Sequence, residues 1–289
     1  MLKVVCGVLV LHAVALATEL PAPAEERFHQ DVAWSPDGHW LAFSEFSGGE
    51  YKPEKWSVWV TRVDGSERRR IAEHAMYVSW SPDGRRVAYG AERGEGWGLF
   101  STSLDSGITE CFTDLQHKDR QPAWSPDGKH LAFVSDRSGA SHIFVLTFGT
   151  GDPVQITGDT LKDYNPQWSA DGTRLVFYRG KPEGHDDVYI VAPDGTGLRA
   201  VTLDSALDIF PCFDTQGGVV FASRATEEAP SLLVRINSDG TRETLTKAPA
   251  FFARVSPDGR RIAFISGQWP KSAVYLLDTQ DSTITKVIN

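Results

Sequence analysis

The sequence predicts an all-β fold, a six-bladed β-propeller of four-stranded antiparallel blades, and three observations predict it. One motif returns six times: "AWSPDGHWLAF" from Ala33, "SWSPDGRRVAY" from Ser79, "AWSPDGKHLAF" from Ala123, "QWSADGTRLVF" from Gln167, and the worn copies "CFDTQGGVVF" from Cys212 and "RVSPDGRRIAF" from Arg254. Its markers, Trp34, Trp80, Trp124, Trp168, Phe213 and Val255, stand 46, 44, 44, 45 and 42 residues apart, a period that belongs to solenoids and propellers. Inside the period every segment reads as strand, and no stretch after residue 28 keeps an apolar helical spacing without a Gly, Pro or Asp-Gly interrupting it.

Within a unit the first strand is the short run that ends at the marker. Pro-Asp-Gly or its relic follows, a turn in which Gly takes the positive φ that other residues resist. The second strand is "WLAF", "RVAY", "HLAF", "RLVF", "GVVF" and "RIAF" in the six units, rich in β-branched and aromatic residues. After a variable loop the third strand is "VWV", "LFS", "IFV", "VYI", "LLV" and "VYL". A second turn, clearest as "VDGS", "PDGT" and "SDGT", leads to the fourth: "RIA", "CFT", "QIT", "AVT", "TLT" and "KVI". A lone four-stranded blade cannot bury both faces, so each must stack on a neighbour, with the recurrent Trp and Phe filling the seam and small Ala allowing the blades to taper inward. Asp37, Asp83, Asp127, Asp171 and Asp258 are expected to cap their own turns and not to form a catalytic series.

The stretch before the first unit has Lys3, an apolar run over residues 4–17, and small Ala15 and Ala17. That pattern predicts a secretory signal peptide over residues 1–17, a linker over 18–27 and the propeller over 28–289. A periplasmic or secreted location follows as an expectation. The apolar run is short for a spanning helix and His12 interrupts it, so no stable membrane span is expected after cleavage. Cleavage would leave Cys111 and Cys212, expected as two buried thiols. A net charge of -9 argues against nucleic acid as a partner, which needs a Lys/Arg surplus. The densest basic run, Arg68 to Arg70, reads as a solvated strand edge.

With "WSPDG", then "LAF", "IFV" and "QIT", the chain resembles the TolB-type six-bladed propellers. The same WD-like repeat occurs in the propellers of dipeptidyl-peptidase-type and oligopeptidase-type enzymes and in oligogalacturonate lyases. The resemblance covers residues 28–289 and implies the fold; the repeat carries unrelated activities, so it implies no single one. Bacterial TolB has an α/β domain before its propeller and the peptidases have a hydrolase domain after theirs, whereas here a bare propeller is expected. No G-x-S-x-G nucleophile elbow occurs.

Loops between the second and third strands vary from unit to unit, from "SEFSGGEYKPEKWS" to "YRGKPEGHDD", on the propeller face opposite the stereotyped turns. Five residues before each marker stand His29, Ala75, Asp119, Asp163, Asp208 and Ala250. These positions lead into the innermost strands, so three carboxylates are expected at the channel mouth with His29 across from them and His74 and His117 nearby. Such a mouth would hold a divalent cation or a basic group of a partner; otherwise each Asp caps the start of its strand. His29, His74, His117 and His185 sit at unequal offsets and make a poor transition-metal set, so no metal centre, cofactor or catalytic residue is assigned. Tyr51, Trp97 and Trp269 in the variable loops could stack on sugars or grip a peptide, while Trp56 reads as a plug between blades. The expected function is non-catalytic binding of a protein, carbohydrate or other extended polymer by a monomer. The alternative is a lyase or hydrolase of the oligogalacturonate-lyase type, using His and Asp at the mouth.

Overall fold

The computed structural model describes residues 27–48, 52, 55–94, 96–182, 184–268 and 270–288, so the expected leader lies outside the described residues. Six antiparallel sheets, each of four consecutive strands, make up the blades. Blade 1 comprises β1 (Arg27–Trp34), β2 (Trp40–Ser47), β3 (Trp56–Arg62) and β4 (Arg69–Glu73). Blade 2 has β5 (Ala75–Trp80), β6 (Arg86–Arg93), β7 (Gly96–Ser103) and β8 (Thr109–Cys111). Blade 3 has β9 (Arg120–Trp124), β10 (His130–Ser135), β11 (His142–Thr147) and β12 (Val154–Gln155). Blade 4 has β13 (Lys162–Trp168), β14 (Leu175–Gly180), β15 (Asp187–Val191) and β16 (Arg199–Ala200). Blade 5 has β17 (Leu207–Phe213), β18 (Val219–Arg224), β19 (Leu232–Ile236) and β20 (Arg242–Thr244). Blade 6 has β21 (Phe251–Val255), β22 (Arg261–Gln268), β23 (Lys271–Asp278) and β24 (Ile284–Ile288). No helix among the described residues is long and apolar enough to cross a membrane.

The repeated turn is held by its own side chains. Asp37 Oδ1 accepts the Ser35 hydroxyl at 2.5 Å and the His39 N–H at 3.0 Å, Ser35 Oγ accepts the Trp40 N–H at 2.9 Å, and Gly38 supplies a φ of 70°. The same bonds recur at Asp83, Asp127, Asp171 and Asp258. The Ser169 hydroxyl, helped by Thr173, pulls the Asp171 carboxyl down to about 2. In blade 5 Asp214 replaces the serine and itself accepts the Gln216 and Gly218 N–H groups.

The seams carry the core. Phe43, Tyr89, Phe133, Phe177, Phe221 and Phe264, at one register of the second strands, are all wholly buried. The marker tryptophans tie one blade to the previous one: Trp80 Nε1 donates to Ala33 O at 3.2 Å and Trp168 Nε1 to Ala123 O at 3.0 Å. Trp34 makes the equivalent bond to Arg254 O at 2.9 Å, which joins blade 1 to blade 6. His29 adds to this junction, its N–H donating to Ser272 Oγ at 2.6 Å. The six first strands contact one another in cyclic order, β1 to β5, β9, β13, β17, β21 and back to β1. Ring closure therefore rests on packing and these bonds, with no strand among the described residues shared between the ends of the chain. Trp124 differs: its ring packs on Phe112 and Phe148 and its indole N–H finds no partner, while its backbone N–H donates to Ser79 Oγ of blade 2 at 3.0 Å.

Two expectations are corrected. Cys212 is buried but Cys111 is exposed, because β8 is the outermost strand of its blade and all three of its residues face solvent. In the basic run Arg69 and Arg70 are exposed, whereas Arg68 is half-buried, 4.4 Å over the Trp59 ring and paired with buried Glu45.

Removal of the Trp80 side chain takes away both the seam filling and the bond to Ala33. Trp80→Ala is expected to lower the unfolding free energy by about 3–5 kcal/mol in urea denaturation. An unchanged midpoint would contradict the seam assignment.

Candidate binding site at the channel mouth

Each first strand carries a register shift, and three residues before every marker the backbone turns left-handed: Asp31 (φ 66°), Tyr77 (64°), Gln121 (55°), Asn165 (55°), Phe210 (56°) and Phe252 (54°). None is glycine, so each such bulge stores roughly 1–3 kcal/mol that the surrounding sheet must hold in place. The bulges aim these side chains at the axis. Arg254 Nη2 of blade 6 reaches Asp31 Oδ1 of blade 1 at 3.4 Å and Asn165 Oδ1 of blade 4 at 3.1 Å. Phe210 and Phe252 stack with centroids 3.7 Å apart, and Tyr178 meets Phe210 edge-on. One side of the channel is thus aromatic and the other is a buried charged bridge. Burial raises the Asp31 carboxyl above its ordinary value, with Arg254 opposing.

Five residues before the marker the side chains turn away from the axis into the blades. His29, Asp119, Asp163 and Asp208 are all fully buried. Their neighbours across the second strand differ by blade: His29 faces Glu45, Ala75 faces Ala91, Asp163 faces Arg179 and Asp208 faces Ser223. His29 Nε2 lies 3.3 Å from Glu45 Oε2, and Nδ1 lies 3.0 Å from Ser272 O. Burial works to raise Glu45, but the His29 ring, Arg68 and Arg27 outweigh it and hold the carboxyl below its ordinary value. Both oxygens of Asp119 accept from Arg137 Nη2, at 3.2 and 3.0 Å. Asp163 takes a two-pronged contact from Arg179, 2.6 Å from Nε and 3.0 Å from Nη2, with His142 Nδ1 at 3.6 Å. Asp119 and Asp163 are therefore guanidinium partners. Neither oxygen of Asp208 accepts a well-formed hydrogen bond.

The remaining candidates are dispersed. His74 is exposed, at φ 52°, in a cleft of about 510 Å³ with Arg70, Ile71, Ala72, Glu73 and Arg93. His117 is half-buried before β9, and His185 is exposed before β15. Trp97 packs half-buried against the core, and Trp56 is wholly buried between Phe28 and Phe46. Tyr51 and Trp269 lie outside the described residues. Among the described residues, the one group of three or more potential metal-ligating side chains is Asp187, Asp204 and Asp208, and none of the four candidate histidines belongs to it. The offset from the marker points to Asp208 but to neither of its companions, nor to Arg254 and Asp31. The adjacent Asp186 and Asp187 at the end of a variable loop were the available signal for the first group.

A sequence profile described as the TolB beta propeller domain matches residues 30–254. Among curated proteins no sequence match is found. TolB from Acinetobacter baumannii superposes with a TM-score of 0.70 at 16% identity, over 91% of this chain and 63% of that one, so the chain spans less than two thirds of that protein's length. A putative TolB from Agrobacterium tumefaciens gives 0.69 at 21% identity, over 80% of this chain and 88% of that one. An oligogalacturonate lyase in complex with manganese gives 0.64 at 13% identity, over 90% and 78%. At these identities the likeness is one of fold.

Among the described residues Arg254 is the one guanidinium paired with Asp31, and its loss would leave a buried carboxylate without that counter-charge. Arg254→Met is expected to lower stability by about 3–5 kcal/mol at neutral pH. A carboxyl whose folded pKa lies above its unfolded value favours the folded state when protonated, so the variant should regain stability as pH falls from about 7 to 5. Urea denaturation across that range checks both, and a variant that loses stability faster than the parent on acidification would contradict the assignment.

Proposed function

The chain belongs to the TolB β-propeller domain family, and on that premise we propose that it is a non-catalytic binding module that takes a protein, or another extended polymer, across the face formed by its variable loops. The observation that carries this reading is the bridged axis: Arg254 spans from blade 6 to Asp31 and Asn165, beside the Phe210–Phe252 stack, so a ligand meets a closed floor ringed by loops. The polar groups on the loop side of that floor favour the same reading, since Asp119, Asp163 and His29 already have partners inside their blades. The rim is uneven in charge. Arg70, His74 and Arg93 line a cleft by blades 1 and 2, while Asp186, Asp187 and Asp204 gather by blades 4 and 5. A partner with the complementary pattern would dock in one orientation. The N-terminal leader pattern supports a periplasmic or secreted setting for this encounter.

A photo-crosslinking residue at exposed Ser138, in the loop between β10 and β11, is expected to give a discrete adduct in the native host. The same residue at exposed Lys129, on the opposite, stereotyped turn, should give none. Adducts from Lys129 alone, or from neither position, would contradict the proposed face.

The likeness in fold to a manganese-bound oligogalacturonate lyase favours a second reading, a polysaccharide lyase or hydrolase working from His and Asp near the mouth. On this reading the purified chain would hold a stoichiometric transition metal that His117→Ala removes. On the binding reading, His117→Ala leaves the metal content unchanged.

A further inference from the structure

The start of the first strand in blades 3 and 4 follows one rule, and blade 5 breaks it. Asp119 and Asp163 each receive a two-oxygen contact from an arginine of their own blade. Asp208 faces Ser223 instead, and the nearest guanidinium, Arg242, stands 3.9 Å away and donates to Asp204 at 2.7 Å and Ser223 Oγ at 2.9 Å. The seam itself also changes. Where blade 3 offers His142 to Asp163, the corresponding first residue of β15 in blade 4 is Asp187, a second acid turned toward Asp208. Asp204, in the connection from β16 to β17, brings a third carboxylate. One oxygen from each of the three lies within 4.8 Å of the others. Asp208 is fully buried, and neither of its oxygens accepts a well-formed hydrogen bond.

We propose that this seam between blades 4 and 5 is a binding site for a divalent cation of the calcium class, with Asp187, Asp204 and Asp208 as its protein ligands. Three carboxylates form a hard, all-oxygen donor set, which selects calcium or magnesium over softer metals. Burial decides between the two: Asp187 and Asp208 are closed off from water, and magnesium dehydrates reluctantly and demands near-ideal octahedral geometry, whereas calcium accepts irregular sets of protein oxygens. Asp204 is exposed and leaves a path from solvent, and the Thr202 hydroxyl, 3.3 Å from Asp187 Oδ1, orients the buried end of the site.

Positive charge at the seam comes from Lys181, which contacts Asp187, and from Arg242 on Asp204. Both are ends of long, partly exposed side chains that can turn outward when an ion enters. Three acids with Asp186 alongside outnumber these two cations.

Thermal melts of the full chain, first freed of metal and then given about 5 mM CaCl2, test the site. The parent is expected to gain at least about 3 °C with calcium and less with the same concentration of MgCl2. Asp208→Asn should lose the calcium shift and melt higher than the parent without metal, since it removes a buried charge whose oxygens accept no well-formed hydrogen bond. Asp204→Asn, at an exposed position, should fold as the parent does and also lose the shift. No calcium shift in the parent, an equal shift with magnesium, or a shift retained in both variants would overturn the proposal.

Discussion

A four-stranded blade has two apolar faces and can cover neither alone, so every blade depends on its neighbours and the ring as a whole depends on its last seam. That seam carries no shared strand among the described residues. It is made from the same parts as the other seams: a marker tryptophan donating to the previous blade, Trp34 to Arg254 O, with His29 fastened to Ser272. Arg254 also serves the axis, so one residue of blade 6 takes part in closing the circumference through its carbonyl and in filling the centre through its guanidinium. Disturbance at the junction should therefore reach the channel floor directly.

Much of the fold was legible because the repeat displays it at positions where chemistry leaves little choice. The Pro-Asp-Gly turn needs a carboxylate to gather its hydroxyl and amide donors and a glycine at positive φ, so the letters survive from blade to blade. The aromatic of the second strand, Phe in five blades and Tyr89 in blade 2, survives because each copy fills an equivalent seam. The axial bulge left no such trace. Asp31, Tyr77, Gln121, Asn165, Phe210 and Phe252 share a backbone conformation but no chemical class, and none is the glycine that usually announces it. Cys111 misled for a different reason: the outer strand keeps strand periodicity without being covered on its far side.

The site was legible in position and not in partnership. The offset from the marker located His29, Asp119, Asp163 and Asp208 at corresponding places, but the residues that decide their chemistry lie on other strands at changing offsets. Asp119 is met by Arg137, just beyond β10, while Asp163 is met by Arg179, inside β14 and directly opposite it. The scaffold thus presents one geometry several times and fills it as a His with a Glu, an Ala with an Ala, an Asp with an Arg, and an Asp with a Ser. Departure from the arginine rule, more than the acidic residue itself, marks the unusual place in the ring.

Mutual sealing of the blades is the claim on which both the closed floor and the acidic seam stand. The most direct measurement is the thermal unfolding, followed by circular dichroism, of a chain that lacks blade 6, residues 251–288. The account predicts that five blades with two uncovered faces and no Arg254 show no cooperative transition of native amplitude. A cooperative melt at the parent's temperature would contradict it, because the blades would then be stable without the ring.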